Sequence, residues 1–281
     1  MAPANRQLPP LVPGLLATAL SAPAAAQLPL TIEALLVSEH RLTATLSGSR
    51  GSHREPVLRP GLAGPVLAWR ELTVEQSSLG LRYGVTQRLE LNARYERSSL
   101  RRELDGQFAG TATGERLVLG ANWLAARGAA GSLLLDARLA ALGRPPASTG
   151  GWRSPAGGSL GATWYRPLDP VVLSLAARYR RDAPVVADGV RRRPGERLSA
   201  EAAVNFAVND RVTLIGGFGL SRREPDRIAG RAIGGTRLRT AVDLGLALGP
   251  WTGGTLFLRG RLPLGAAESG GALSLELLQT F

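Results

Sequence analysis

The sequence predicts an all-β protein: a closed antiparallel up-and-down transmembrane β-barrel of about twelve strands. Three observations predict it. Apolar and polar residues alternate with period two along most of the chain beyond residue 40. The connections between these segments are short and long by turns. The chain also finishes on an alternating stretch, LSLELLQTF (Leu273–Phe281), with an aromatic where chain ends are commonly polar and frayed.

Residues 1–26 have the makeup of a secretory signal peptide. Arg6 supplies the positive start, LVPGLLATALSAP (Leu11–Pro23) the apolar stretch, and Ala24–Ala26 small residues before a cleavage point at Gln27. Residues 27–40 read as a short N-terminal periplasmic segment, in which Thr31–Glu39 has the spacing of a short amphipathic helix, and residues 41–281 as the barrel.

The first two strands are expected over residues 41–50 and 71–84, with a slip in alternation near Val74. The third, 88–98, is the clearest. It places Leu89, Leu91, Ala93 and Tyr95 on one face and Arg88, Glu90, Asn92, Arg94 and Glu96 on the other. Further strands follow over 115–125, 132–142, 158–166, 170–180, 196–207, 211–222, 238–248, 254–263 and 272–281. In 196–207, Leu198, Ala200, Ala202, Val204 and Phe206 oppose Arg197, Ser199, Glu201 and Asn205. In 238–248, Leu238, Val242, Leu244, Leu246 and Leu248 oppose Arg239, Asp243 and Gly245.

Tight connections are GVTQ (Gly84–Gln87), RGAAG (Arg127–Gly131), PLD (Pro167–Asp169), VND (Val208–Asp210) and GPWTG (Gly249–Gly253). Long ones are 51–70, 99–114, 143–157, 181–195 and 223–237, with a shorter sixth at 264–271. A meander places successive connections at opposite ends, so every short turn falls at one end and every long loop at the other. Outer-membrane barrels show that asymmetry, with short periplasmic turns. An apolar band about 25 Å tall, crossed at about 40° by strands rising about 3.3 Å per residue, needs ~10 residues per strand, which most segments offer.

Energy assigns the faces. Arg on the lipid side at the bilayer midplane costs about 2–4 kcal/mol, so the leucine faces point outward and the charges line the interior. The aromatics agree. Tyr83, Trp123, Trp164 with Tyr165, Phe206, Trp251 and Phe281 fall at the lower level, and Tyr95, Tyr179 and Phe218 at the upper, as two interfacial girdles would. Leu273, Leu275, Leu277 and Phe281 resemble the C-terminal signal that barrel insertion machinery reads, except that Gln279 stands where an apolar group is usual.

Composition narrows the chemistry. There are no cysteines, which excludes disulfides and thiolate metal sites. All 34 basic residues are arginine, against 22 acidic ones, for a net charge of +12. That excess invites an anionic partner, but the only run is Arg191–Arg193 and no nucleic-acid motif is present, so nucleic acid is not expected. His40 and His53 belong to no recognisable catalytic motif, and GTATGER (Gly110–Arg116) lacks the Lys-Ser/Thr of a phosphate loop. No catalytic, metal or cofactor residues are nominated. The expected lumen-lining set is Arg82, Arg88, Glu90, Arg94, Arg138, Arg178, Glu201, Arg239, Asp243, Arg259, Arg261 and Glu276, with Arg116, Asp136 and Arg197 on the same faces. Two readings of it stand open: a structural ion-pair network, or a pore whose arginines attract anions. The loop arginines Arg101, Arg102, Arg181, Arg191–Arg193, Arg222, Arg223, Arg227 and Arg231 suit either solvated loop charge or contact with lipopolysaccharide phosphates.

The stretches YGVTQRLELNARYE (Tyr83–Glu96), DPVVLSLAARYR (Asp169–Arg180) and NDRVTLIGGFGLSRRE (Asn209–Glu224) resemble a family of bacterial outer-membrane barrels, the transporters of the meta-pathway of phenol degradation. The resemblance implies a Gram-negative outer-membrane location and passage of small or aromatic molecules, and supplies no catalytic residues. The expected function is therefore a passive, porin-like channel for small solutes. The alternatives are a filled-lumen structural or surface-binding barrel and an exported soluble ligand-binding β-protein.

Overall fold

The computed structural model describes residues 36–61, 64–144, 152–187, 190–265 and 269–281. The leader, most of the 27–40 segment and the greater part of the expected Thr31–Glu39 helix lie outside them. In chain order the strands begin β1 (Leu42–Gly61), β2 (Gly64–Thr86), β3 (Leu89–Leu104), β4 (Gln107–Gly128), β5 (Gly131–Arg144), β6 (Gly157–Leu168) and β7 (Val171–Asp182). Two short strands, β8 (Val185–Ala187) and β9 (Val190–Arg193), precede β10 (Arg197–Ala207) and β11 (Val212–Arg223). Two more, β12 (Asp226–Ile228) and β13 (Arg231–Ile233), precede β14 (Arg237–Trp251), β15 (Gly254–Pro263) and β16 (Ser269–Thr280).

The twelve long strands form one closed barrel in which each pairs antiparallel with the next, and β1 closes on β16 from Thr43–Thr280 to Arg54–Ser269. An even strand number returns the chain to the end where it entered: the Phe281 N–H donates to the Leu42 carbonyl at 2.8 Å. The tight turns gather at that same end, and side chains build them. Thr86 Oγ1 accepts from the N–H groups of Arg88 and Leu89, and Asn209 Oδ1 from those of Arg211 and Val212.

The far end departs from expectation. Residues 51–61, 64–70 and 99–114 do not form loops but extend the β1–β2 and β3–β4 hairpins. Only about ten residues of a strand are needed to cross the apolar band, so roughly half of each of these strands stands beyond it. The β3–β4 tip is an Asp105–Gly106 turn with φ of 51° and 77°, the left-handed pair that a two-residue hairpin requires. Segments 181–195 and 223–237 carry β8–β9 and β12–β13, which pair through β9 and β12 into a separate four-stranded sheet.

Outside and inside are inverted relative to a soluble protein. Every barrel strand exposes a leucine on its outer face: Leu46, Leu79, Leu91, Leu119, Leu139, Leu160, Leu175, Leu198, Leu214, Leu244, Leu258 and Leu275. Trp123, Trp251, Phe206 and Phe281 are exposed at the lower level, and Tyr95, Tyr179 and Phe218 higher up. Tyr165 is the exception. It sits one residue out of phase with Trp164, points inward and is 1% exposed. The outward leucines set the first test. Leu244→Arg, mid-strand on β14, is expected to cost about 2–4 kcal/mol in lipid, read as a lowered urea midpoint of the heat-modifiable gel band in lipid vesicles.

Candidate functional site

The lumen is built in tiers from the inward positions of β2–β7. At the turn end Leu124, Leu134 and Tyr165 form a small apolar floor, and Leu36 packs against it. The chain before β1 therefore enters the lower mouth, where its described part, residues 36–40, is non-helical and joined to β2 by a parallel bridge, Glu39–Gly84. Gly84 is required there, because a Cβ would lie 2.2 Å from the Ser38 carbonyl oxygen.

Above the floor lies Glu90, fully buried. Arg82 donates to both carboxylate oxygens, from Nε to Oε1 at 2.9 Å and from Nη2 to Oε2 at 2.7 Å. Asn122 Nδ2 donates to Oε1 at 2.7 Å and the Val37 N–H to Oε2 at 2.8 Å. A buried carboxylate is tolerated only when paired and saturated in this way. It ties three strands and the entering chain to one point.

The next tier holds Asp136 between two arginines. Arg178 Nη2 donates to its two oxygens at 3.2 and 3.4 Å, and Arg138 Nε approaches Oδ1 at 3.4 Å. Higher still, Arg116 donates to Glu96 and Arg180 to Asp182. All these residues, with Arg94 and Glu276, line one cavity of about 350 Å³. On the opposite wall Arg261 bonds both oxygens of Asp243 at 2.7 Å and reaches Glu201 at 3.6 Å, while Arg259 lies over the Phe257 ring at 5.1 Å.

Glycines opposite the charged residues provide the room. The register sets Gly80 beside Arg94, Gly120 beside Asn92 and Arg138, Gly161 beside Asp136 and Arg178, Gly217 beside Asp243, and Gly245 beside Arg259. A Cβ at Gly161 would lie 2.0 Å from Asp136 Oδ2, and one at Gly120 2.6 Å from Asn92 Oδ1. Each long side chain lies across its neighbour's missing one.

Of the expected lumen residues, Arg82, Glu90, Arg94, Arg138, Arg178 and Glu276 line the cavity, and Glu201, Asp243 and Arg261 form the opposite ion-pair group. Arg239 shares the face of Asp243 on β14, paired in register with Ser221. Arg88 is a correction: it occupies the β2–β3 turn with its side chain exposed, because the strand starts one residue later than its alternation suggests. The cavity lining is also less basic than the overall charge, since six arginines face five carboxylates. Asn122, which completes the Glu90 site, and the inward glycines went unnominated; glycine at alternate strand positions was the available signal. His40 is exposed, with Nδ1 3.4 Å from the Tyr83 hydroxyl. No group of three potential metal ligands occurs among the described residues.

The outer surface has its own polar rim above the leucines. Outward arginines pair with acids on adjacent chain: Arg50 with Glu75 at 3.6 Å, Arg144 with Glu115 at 3.2 Å, Arg181 with Glu196 at 3.7 Å and Arg222 with Glu224 at 2.9 Å. In the external sheet Asp226 ties Arg192, Arg223 and the Gly195 N–H together. At the lower level Gln279, the departure from the C-terminal pattern, accepts from Trp251 Nε1 at 2.6 Å. Gly254 leaves the space for that indole, which a Cβ would meet at 2.0 Å.

A closed meander with leucines outside and paired charges within is a transmembrane β-barrel of the outer-membrane type. Among solved structures, the chain is similar to an outer-membrane channel from Pseudomonas putida F1, with a TM-score of 0.66 and 18% identity, covering 85% of this chain and 95% of that one. It is also similar to the translocator domain of the autotransporter NalP from Neisseria meningitidis, with a TM-score of 0.56 and 13% identity over 89% and 91% of the two chains. The CymD monoaromatic hydrocarbon channel follows at a TM-score of 0.50 and 8% identity over 92% and 94%. No family model matches the sequence, and no curated protein matches it.

Two expectations follow. Glu90→Ala strands the Arg82 charge and is expected to cost about 3–5 kcal/mol, whereas the double variant Arg82→Met/Glu90→Leu costs less than either single change; urea midpoints of the heat-modifiable band measure both. For Asp226, burial pushes the carboxyl up, but hydrogen bonds from Arg192 and Gly195 and the Arg223 charge outweigh it and lower the pKa from 3.8 to about 2. A depressed acid stabilises the fold above its ordinary pKa and ceases to do so as pH falls through the lowered one. Hydrogen exchange in residues 190–193 and 226–233 is expected to stay slow above pH 4, then quicken as pH falls toward about 2, and in Asp226→Asn to lose that dependence.

Proposed function

We propose that this chain is a Gram-negative outer-membrane channel that passes small solutes passively through a lumen lined by ion-paired arginines. One observation carries the reading: the wall encloses a polar cavity of about 350 Å³ while presenting leucine to its surroundings on every barrel strand. The likeness in fold to an outer-membrane channel and to a monoaromatic hydrocarbon channel supports it. Leucines exposed all round the barrel argue against an exported soluble ligand-binding protein.

A second reading, a filled-lumen structural or surface-binding barrel, is favoured by Leu36 and Val37 seated in the lower mouth. Current decides between the two. Purified protein in a planar bilayer is expected to give small ohmic steps with an anion preference set by the slight arginine excess. Silence from protein that migrates as folded rules the channel out in favour of the filled barrel.

Further partners belong to the same proposal. The outward rim at Arg50, Arg144, Arg181 and Arg222 lies where lipopolysaccharide phosphates would sit, and guanidinium suits that chemistry. Leu273, Leu275, Leu277 and Phe281 on the outer face of β16 supply the alternating apolar edge that insertion machinery would read, after export directed by residues 1–26.

A further inference from the structure

We infer that the middle tier of the lumen is a binding site for a small organic carboxylate, held by Arg94, Arg138 and Arg178. The three inward guanidinium groups line one cavity, and Asp136 is shared by two of them, Arg138 and Arg178. Glu96, the next carboxylate up, is taken by Arg116. The tier therefore holds three arginines against one carboxylate, whereas the rest of the cavity lining holds Arg82, Arg116 and Arg180 against Glu90, Glu96, Asp182 and Glu276.

The donors are also unspent. Nε of Arg178 is buried with no hydrogen-bond partner among the described residues, and Nε of Arg138, equally buried, has only a 3.4 Å ion-pair approach to Asp136 Oδ1 that makes no hydrogen bond. A buried donor left unmade costs about 1–3 kcal/mol, more when charged, so two on adjacent arginines at one cavity mark a place for an acceptor. A guanidinium edge and a carboxylate match bidentately. The same cavity carries Val118 and Ala140 above the arginines and Leu134 below them, apolar wall that suits the body of an organic acid and offers nothing to inorganic phosphate. Gly120 and Gly161 keep the tier open, since a side chain at Gly120 would meet Arg138 and one at Gly161 would meet the Asp136 carboxylate.

The site rests on the channel reading only for the route by which the acid enters; binding itself needs no conduction. The test is therefore calorimetry on the full protein folded in detergent, with benzoate, inorganic phosphate and neutral benzyl alcohol as probes. Benzoate is expected to bind saturably and to weaken at least about tenfold in Arg138→Gln and in Arg178→Gln, with benzyl alcohol inert and Arg97→Gln, on the outer face, unchanged. No saturable benzoate binding by folded wild-type protein overturns the site. Phosphate binding as tightly as benzoate overturns the carboxylate assignment, and equal binding of benzyl alcohol overturns the role of the arginines. These wild-type comparisons decide the matter even where a variant fails to fold.

Discussion

Hydrocarbon offers no hydrogen bonds, so every backbone N–H and C=O at membrane depth must find its partner within the protein. The seam between β1 and β16 answers that demand, running from Thr43–Thr280 to Arg54–Ser269 without a break. Once the sheet closes, an edge strand no longer exists and the remaining choices are about faces. Leucine is admissible outside, and guanidinium and carboxylate inside. The even strand count, the shared location of the two barrel ends and the collection of tight turns at one mouth follow from closure by a meander.

Closure also sets the problem the interior must solve. Long charged side chains project into a confined space, and each needs an opposite charge and somewhere to lie. Pairing answers the first need, with Glu90 saturated by four hydrogen bonds and Arg261 joined to Asp243 and Glu201. Glycine answers the second, at Gly80, Gly120, Gly161, Gly217 and Gly245. The apolar floor with Leu36 and Val37 is a different solution at the lower mouth, where the entering chain supplies the contacts that a solvated lumen lacks.

The period-two pattern made the barrel legible, because leucine outside and charge inside leave the same two-residue signature on all twelve long strands. What it hid were features that do not depend on period. The upper halves of β1–β4 look like loops in the sequence, since they stand beyond the apolar band and alternation fades there. The Asp105–Gly106 pair was the available signal for the β3–β4 hairpin, and it went unread. β8, β9, β12 and β13 are three or four residues each and are held together across thirty residues of chain by Asp226, a partnership that no local pattern carries. Arg88 and Tyr165 show the limit at strand ends: Arg88 keeps the phase of Glu90 but falls in the turn before β3, and Tyr165 alternates inward beside Trp164. Within the lumen the charges were visible and their partners were not, because Arg82 and Glu90, or Asp136 and Arg178, meet only through register.

The glycine positions bear on how such a barrel can change over time. Gly161 is sealed by the Asp136 carboxylate and Gly120 by Asn92 and Arg138, so a methyl added at either glycine evicts the neighbour's side chain, and a shortened neighbour opens a gap. The permitted unit of drift is then a couple on adjacent strands, small with large, exchanging together. Descendants of this chain could reverse which strand bears the charge while the wall keeps its thickness and the cavity inside it keeps its width.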